Sequence, residues 1–383
     1  MVVVQITTDN REAFRNYERV EPEFGTAPAA LFAGLAKRGD VELHVLSCTQ
    51  RAMRSPEKLG DRTWFHSLHV PKFGWLRGGY AGCALALRHR IGQIRPDIVH
   101  GQGTERECAL GAVYSGYPNV VTVHGNMVRV ARLYRSGWGG YHWWSARLET
   151  FALRRAGGVL CNSRYTDAVV RGRGFPRWLV PNPVRLTFLE EVPAPERVGP
   201  PVLLNVGVVI PLKRQVELLR VARRLRDRGA RFQLRFAGHL GGDVAYNEAF
   251  RELLTELRGT AFHDGDLREV ELRDWLDAGT AMIHVSSEEA CSVALLEGMA
   301  RNLKLVAFDV GGNRDLVQGV DGGELVREGA WSDLERRLGD WLAVGAPRPT
   351  GATLTARRRY HPDVVAARHM EIYREVLERR GWE

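Results

Sequence analysis

The chain has little of what marks a secreted, disulfide-built or membrane-spanning protein. Its five cysteines, Cys48, Cys83, Cys108, Cys161 and Cys291, are scattered, odd in number and never spaced as C-x-x-C. Neither a disulfide framework nor a zinc site is suggested, and they read as reduced small hydrophobes. No apolar run approaches the ~18 residues needed to span a bilayer. The start, MVVVQITTDN, lacks the basic stretch and cleavage site of a signal peptide, so a cytoplasmic location is expected. Low-complexity tracts and short internal repeats are absent, as are helix-turn-helix, RNP-like and zinc-finger patterns, which leaves no specific nucleic-acid partner.

What is present is the composition of a globular protein, 44% hydrophobic and 26% charged over 383 residues. That length is too great for one ordinary core, and two domains are the natural expectation. The net charge of +9 is uneven: Met1 to Glu190 holds 26 Lys+Arg against 15 Asp+Glu, and the remainder 28 against 30. The basic first half suits an anionic partner, whether a membrane surface, a phosphorylated acceptor or nucleic acid bound through charge alone.

Short, nearly unbroken apolar runs alternate with helical stretches throughout, as in parallel strands covered on both faces. In the first half the runs are Val2 to Thr8, VELHVLS, DIVHGQ, NVVTVHG, GVLCNS and WLVPNP, with a polar loop from Asp9 to Phe24 before the first helix. Composition shifts in the proline-rich LTFLEEVPAPERVGPP, which has no helical period. The alternation restarts with VLLNVGVV and closes on the helix HPDVVAARHMEIYREVLERR. The economical architecture is α/β, with two doubly wound Rossmann-like domains. Residues 1–188 form the first, 189–200 a linker, 201–358 the second, and 359–383 a terminal helix.

The stretch HVSSEEACSVALLEGMARNLKLVAFDVGGNRD, from His284 to Asp315, parses as strand, helix, strand and Gly-Gly turn. Both loops that follow a strand in such a unit lie at the carboxyl edge of a parallel sheet, where open α/β sheets bind ligands. Glu289 falls in the loop before the helix. Glu297 lies in its second turn, on the inward stripe of Val293, Leu296 and Ala300. Unpaired N–H groups at the helix start, near Ser292 and Val293, suit a phosphate.

This string resembles the E-x7-E signature of the retaining, nucleotide-sugar-dependent group 1 glycosyltransferases of the GT-B fold, P-S-x-x-E-G-F-G-x-x-x-x-E-A-M-A followed by a strand and G-G. Ser286, Glu289, Glu297, Met299, Ala300, Gly311 and Gly312 match. Val285 stands for the proline, and Ala290, Cys291 and Ser292 replace G-F-G. The resemblance implies two domains facing a cleft, with the terminal helix crossing back to the first. It also implies transfer of a sugar from a nucleotide diphosphate sugar to a glycan or lipid-linked acceptor, with no cofactor and no metal.

Residue by residue, the resemblance assigns Glu289 to the donor sugar hydroxyls and Glu297 to the ribose. Lys213, with the Gly311-Gly312 backbone, falls to the phosphates and sugar. LLNVGVVIPLKRQ resembles the family's G-R-L-x-x-x-K-G loop: Gly207 admits close backbone approach, but Val208 replaces the arginine, so either Arg214 substitutes from the next loop or stabilisation of the diphosphate is weaker. His124, in TVHG, resembles a histidine that contacts the transferred sugar, although a lone histidine is more often structural. His100 matches a family position whose second histidine is here Gln102. Asn182 is a cleft-wall or a turn residue. Gly25 matches a glycine that approaches phosphate, or is a turn glycine. Asp264-Gly265-Asp266 invites a metal-binding D-x-D reading, but its place after a strand resembles the loop that contacts the base through its backbone, which favours Gly265 as a nucleotide contact. The aromatic and basic segment Gly137 to Ala156 suits an interfacial helix or a sugar-stacking surface, or a core helix with a polar face. A sugar-nucleotide epimerase or phosphorylase of the same fold, and a non-catalytic basic binding protein, are the alternatives.

Overall fold

The structure is a computed structural model that describes residues 1–172, 174–193 and 199–380. The centre of the expected linker, 194–198, and the last three residues of the expected closing helix lie outside the described residues. The chain divides into two compact units, Met1–Pro183 with Pro362–Glu383, and Val184–His361.

The first unit is built on eight strands: β1 (Val2–Ile6), β2 (Glu42–Thr49), β3 (Lys58–Gly60), β4 (Thr63–His69), β5 (Ile98–Gln102), β6 (Asn119–Val123), β7 (Val159–Cys161) and β8 (Arg177–Leu179). Their order is β3-β4-β2-β1-β5-β6-β7-β8, parallel except for the antiparallel pair β3–β4. Alternation along the strands fills two cores. Val4, Ile6, Val99 and Val121 pack with Cys83, Leu87 and Ile91 of the helix Ala81–Ile94. Val3, Leu43, Ile98 and Val120 pack on the other face with Leu31 and Leu35 of the helix Thr26–Ala36 and with Ala366, Met370 and Tyr373 of the closing helix Pro362–Arg380. The closing helix thus belongs to the first unit. Its approach depends on Gly34, where a Cβ would stand 2.3 Å from the Pro362 carbonyl oxygen.

The second unit carries β9 (Val202–Val206), β10 (Gln233–Ala237), β11 (Ala261–Gly265), β12 (Ala281–His284), β13 (Lys304–Phe308) and β14 (Gly323–Val326). All are parallel, in the order β11-β10-β9-β12-β13-β14. The order reverses between β9 and β12, so the switch point lies where their loops emerge. The helix Gln215–Asp227 shows how patterning works here: Leu218, Leu219, Ala222 and Leu225 are buried while Arg220 and Arg223 face solvent.

Two boundaries and one loop differ from the sequence reading. Val184 to Leu189 belong to the second unit, because Phe188 and Leu189 fill its core and Val184 N–H donates to the Tyr360 carbonyl. Helix Ala352–Tyr360 also stays in that unit, so the closing helix begins at Pro362 rather than 359. The expected loop from Asp9 to Phe24 contains a helical turn, Asn10–Ala13, organised by a fully buried Asp9–Arg11 ion pair at 2.6 Å. The Arg11 guanidinium also donates to the carbonyls of Arg19 and Val20, which ties the loop down from inside.

Candidate functional site

Three loops at the carboxyl edge of the second sheet are hydrogen-bonded to one another. Ser287 donates from its N–H to the Leu212 carbonyl at 2.9 Å, joining the loop after β12 to the loop after β9. Gly312 N–H donates to the Glu289 carbonyl at 2.9 Å, joining the same loop to the turn after β13. Gly311 makes that contact sterically open: its φ is +51°, and a Cβ would stand 1.8 Å from the Glu289 oxygen. The Gly-Gly turn therefore fixes where Glu289 stands.

On this frame Lys213 Nζ bonds Glu289 Oε2 at 2.5 Å, with the two side chains 22% and 16% exposed. Glu289 Oε2 also accepts from His284 Nε2 at 3.1 Å and from the Ser286 hydroxyl at 3.3 Å. All three bonds fall on one oxygen. Burial alone would raise the Glu289 carboxyl, but the Lys213 ammonium and the His284 hydrogen bond outweigh it and hold it well below the usual carboxylate range. His284 is shifted the other way: burial pushes it down despite Glu289, so it is the neutral Nε2–H donor at pH 7.

Glu297 stands in the helix Val293–Ala300, capped by the Ser292 hydroxyl on Leu295 N–H. The amides of Val293 and Ala294 fall in the first turn, which has no intrahelical acceptor for them. The Glu297 side chain is 4% exposed and paired with Arg185 at 2.6 Å. Burial raises its carboxyl, and Arg185 only partly opposes this.

Other expected residues are placed differently. Gly207 follows β9 with φ +149° and donates to the Ala237 carbonyl, 3.8 Å from the Lys213 side chain as measured from a built Cβ. Gly265 ends β11 with φ +71°, and its carbonyl accepts from Gly238 N–H. Arg214, expected to stand in for the arginine missing at Val208, instead donates to Glu328 at 2.9 Å and lies over the Phe308 ring. Asp264 is taken by Arg235, at 2.6 and 2.9 Å, and by the Trp275 indole at 2.7 Å. The D-x-D pair is thus a structural brace at its first aspartate. Among the described residues no group of three or more His, Cys, Asp and Glu could hold a metal ion.

In the first unit Gly25 is the N-cap of helix Thr26–Ala36 with an ordinary φ of −57°. His124, at the end of β6, donates from Nε2 to Gln102 at 2.9 Å and bonds Asn182; burial lowers its pKa. From there a buried chain runs inward. Gln102 donates to Gln5, Gln5 to the Tyr373 hydroxyl, Tyr373 to His100 Nδ1, and His100 Nε2 to Thr122. Burial keeps His100 neutral, as this relay requires. His100 is therefore a core residue joining the closing helix to the sheet, and Gln102 is the link that orients His124.

Two family profiles match. Residues 28–188 fit the one described as Glycosyltransferase Family 4, and residues 190–349 the one described as Glycosyl transferases group 1. The chain belongs to the group 1 glycosyltransferases. Solved structures agree on the GT-B fold. Sucrose-phosphate synthase from Thermosynechococcus elongatus superimposes with a TM-score of 0.73 at 15% identity, over 99% of this chain and 100% of that one. Anabaena HepE in complex with UDP gives 0.72 at 14%, over 98% and 99%. The lipopolysaccharide outer core galactosyltransferase WaaB gives 0.69 at 18%, over 98% and 100%. A search of curated protein sequences finds no match. This glycosyltransferase therefore carries Lys213, Glu289 and the Gly311–Gly312 turn in the unit that matches the group 1 profile.

The sequence reading missed His284, Arg185 and Glu269 as members of this constellation. His284 had a usable signal: it ends a strand and shares a side with Ser286 by the period of two. Arg185 and Glu269 had none, since Arg185 lies 112 residues from Glu297 and 84 from Glu269 in the chain.

Proposed function

We propose that this glycosyltransferase moves a sugar from a nucleoside diphosphate sugar to an acceptor hydroxyl with retained anomeric configuration, in the synthesis of a cell-surface glycan or glycolipid. The observation that carries the reading is the convergence of Lys213, Glu289 and the Gly311–Gly312 turn beside the switch point of a parallel sheet. In this reading Lys213 neutralises the departing diphosphate, helped by the helix N-terminus at Ser292 and by glycine N–H groups. The ionised Glu289, held by Oε2, accepts hydroxyl protons of the donor sugar through Oε1. The departing phosphate oxygen takes the acceptor's proton on the face it leaves, so positioning and charge stabilisation carry the rate. Solved HepE complexes contain UDP and UDP-glucose, which makes uridine donors the first to try. The test is transfer from a panel of labelled nucleotide sugars with NMR of the product. An α-linked donor should give an α-linked product; a β-linked product would refute retention.

A further feature supports an anionic, lipid-linked setting for the acceptor. No Asp or Glu occurs between Glu107 and Glu149. The helices Met127–Leu133 and Tyr141–Leu153 and their connection expose Leu133, Tyr134, Trp138 at 87%, Tyr141 and Trp144 beside Arg132, Arg135 and Arg147. Aromatic and basic residues so mixed suit a membrane interface. No described helix is long and apolar enough to cross a membrane. The intact chain should bind anionic vesicles with an affinity that falls as salt rises, and Trp138→Ser with Trp144→Ser should weaken it. Binding untouched by both changes would remove this surface from the proposal.

A further inference from the structure

We infer that Arg185 is a positioning residue of the donor site, holding the Glu297 carboxylate by one oxygen so that the other is presented to the ribose of the nucleotide. The inference rests on the donor-binding reading above and adds to it a residue that neither the family motif nor the sequence points to.

The geometry is specific. Arg185 Nε and Nη2 converge on Glu297 Oε1 at 3.0 and 2.6 Å. Its Nη1 donates to Glu269 Oε2 at 3.0 Å, and the guanidinium lies 4.6 Å over the ring of Phe188, which is fully buried. The fork is thus fixed on three sides by groups from three segments. Glu297 Oε2, by contrast, accepts no hydrogen bond among the described residues, although the side chain is almost wholly enclosed. That oxygen is not among the fully buried polar atoms that lack a partner, so it keeps access to solvent, and a ligand hydroxyl can reach it. The arrangement repeats that of Glu289, where three donors take Oε2 and leave Oε1.

Arginine suits this task and lysine does not, because two donors on a planar fork fix both the place and the rotation of the carboxylate. The charge matters as well. Burial favours neutral Glu297, and Arg185 opposes it, so loss of Arg185 would drive the carboxyl further toward the form that donates. Arg185 also bridges two donor loops, since Glu269 opens the helix Glu269–Asp277 that follows Gly265 and β11. The residue joins the segment expected to meet the base to the one expected to meet the ribose.

The test compares ribose with deoxyribose on the intact chain. The nucleoside diphosphate that binds best from a panel is titrated against its 2′-deoxy and 3′-deoxy forms, with wild type, Arg185→Gln and Arg185→Lys. Wild type should favour the ribose form by roughly tenfold or more, as expected for hydrogen bonds to a charged group. In Arg185→Gln the deoxy forms should keep their affinity within about threefold while the preference for ribose collapses. Arg185→Lys, which keeps charge without the fork and guards against misfolding of the glutamine variant, should lose most of the preference too. A merely structural brace would weaken all nucleotides alike, so an unchanged ribose preference in either folded variant overturns the inference. Wild type that binds the diphosphate without preferring ribose also overturns it while leaving the donor-site reading standing. Absence of any nucleotide binding would sink that reading and this one together.

Discussion

Lys213→Ala tests the chemistry of the site most sharply, because Lys213 serves two partners in the account. It stabilises Glu289 directly and, in catalysis, the leaving diphosphate. For the first role, breaking a buried pair costs about 3–5 kcal/mol, but both side chains keep partial exposure, 22% and 16%, so solvent screening reduces this. An estimate of about 1–2 kcal/mol follows, equivalent to a fall in melting temperature of roughly 2–8 °C for a unit of this size. For the second role, removing one preorganised charge contact typically lowers kcat by about 10²-fold or more. The two roles also separate by pH. Glu289 has a depressed pKa in the folded state, so its contribution is present above the unfolded value of about 4.3 and is lost as pH falls through the folded value. Without Lys213 that folded value rises, and the acid limb of both stability and activity should move to higher pH. The assay is transfer kinetics across pH beside thermal melts of the same samples. A folded variant with kcat within threefold of wild type and an unmoved acid limb would refute the reasoning.

Gly311→Ala should lower turnover at least tenfold, since its Cβ would collide with the Glu289 carbonyl at 1.8 Å, whereas Gly39→Ala, with no atom near its Cβ, should leave turnover unchanged; equal rates in the two variants would count against the clamp. Transfer should survive excess chelator, because Lys213, a helix N-terminus and glycine N–H groups supply the positive potential; loss restored by magnesium or manganese would overturn that. Asp264→Asn should act on stability more than on kcat, given its bonds to Arg235 and Trp275, and kinetics beside melts would show the reverse if the residue held a catalytic metal. Gln102→Leu, which cuts the bond that orients His124, should lower kcat severalfold if His124 contacts the sugar, and an unaltered kcat would leave His124 a structural residue.

The fold was legible where strands are central. Runs such as VVVQI and VLLNV are covered on both faces and carry no polar alternation to confuse them. It was less legible at the margins. β4, TWFHSLH, has on one side only the three-residue β3, so it tolerates histidines and a half-exposed tryptophan that blur its pattern. The helix Ala81–Ile94 starts from Tyr80 in a left-handed conformation with no side-chain cap, and the helix Trp331–Ala343 likewise begins without a capping bond. Neither offers the usual start signal. The site followed the same division. Lys213, Glu289 and the glycine turn sit in loops whose place after strands is readable, and they come together because those strands adjoin at the switch point. Arg185 and the Gln102–His124 link depend on which side chains meet in space, and Arg214 was drawn elsewhere by Glu328, a partner 114 residues away.

The central claim is that the loops holding Lys213 and Glu289 bind a nucleoside diphosphate, and thermal stabilisation by a panel of such nucleotides measures it directly. A ligand at ~100 times its dissociation constant adds about 2.7 kcal/mol. At least one nucleoside diphosphate should raise the melting temperature of wild type by several degrees and that of Lys213→Ala by far less. Stabilisation by none of the panel, or equal stabilisation of both proteins, would contradict the account.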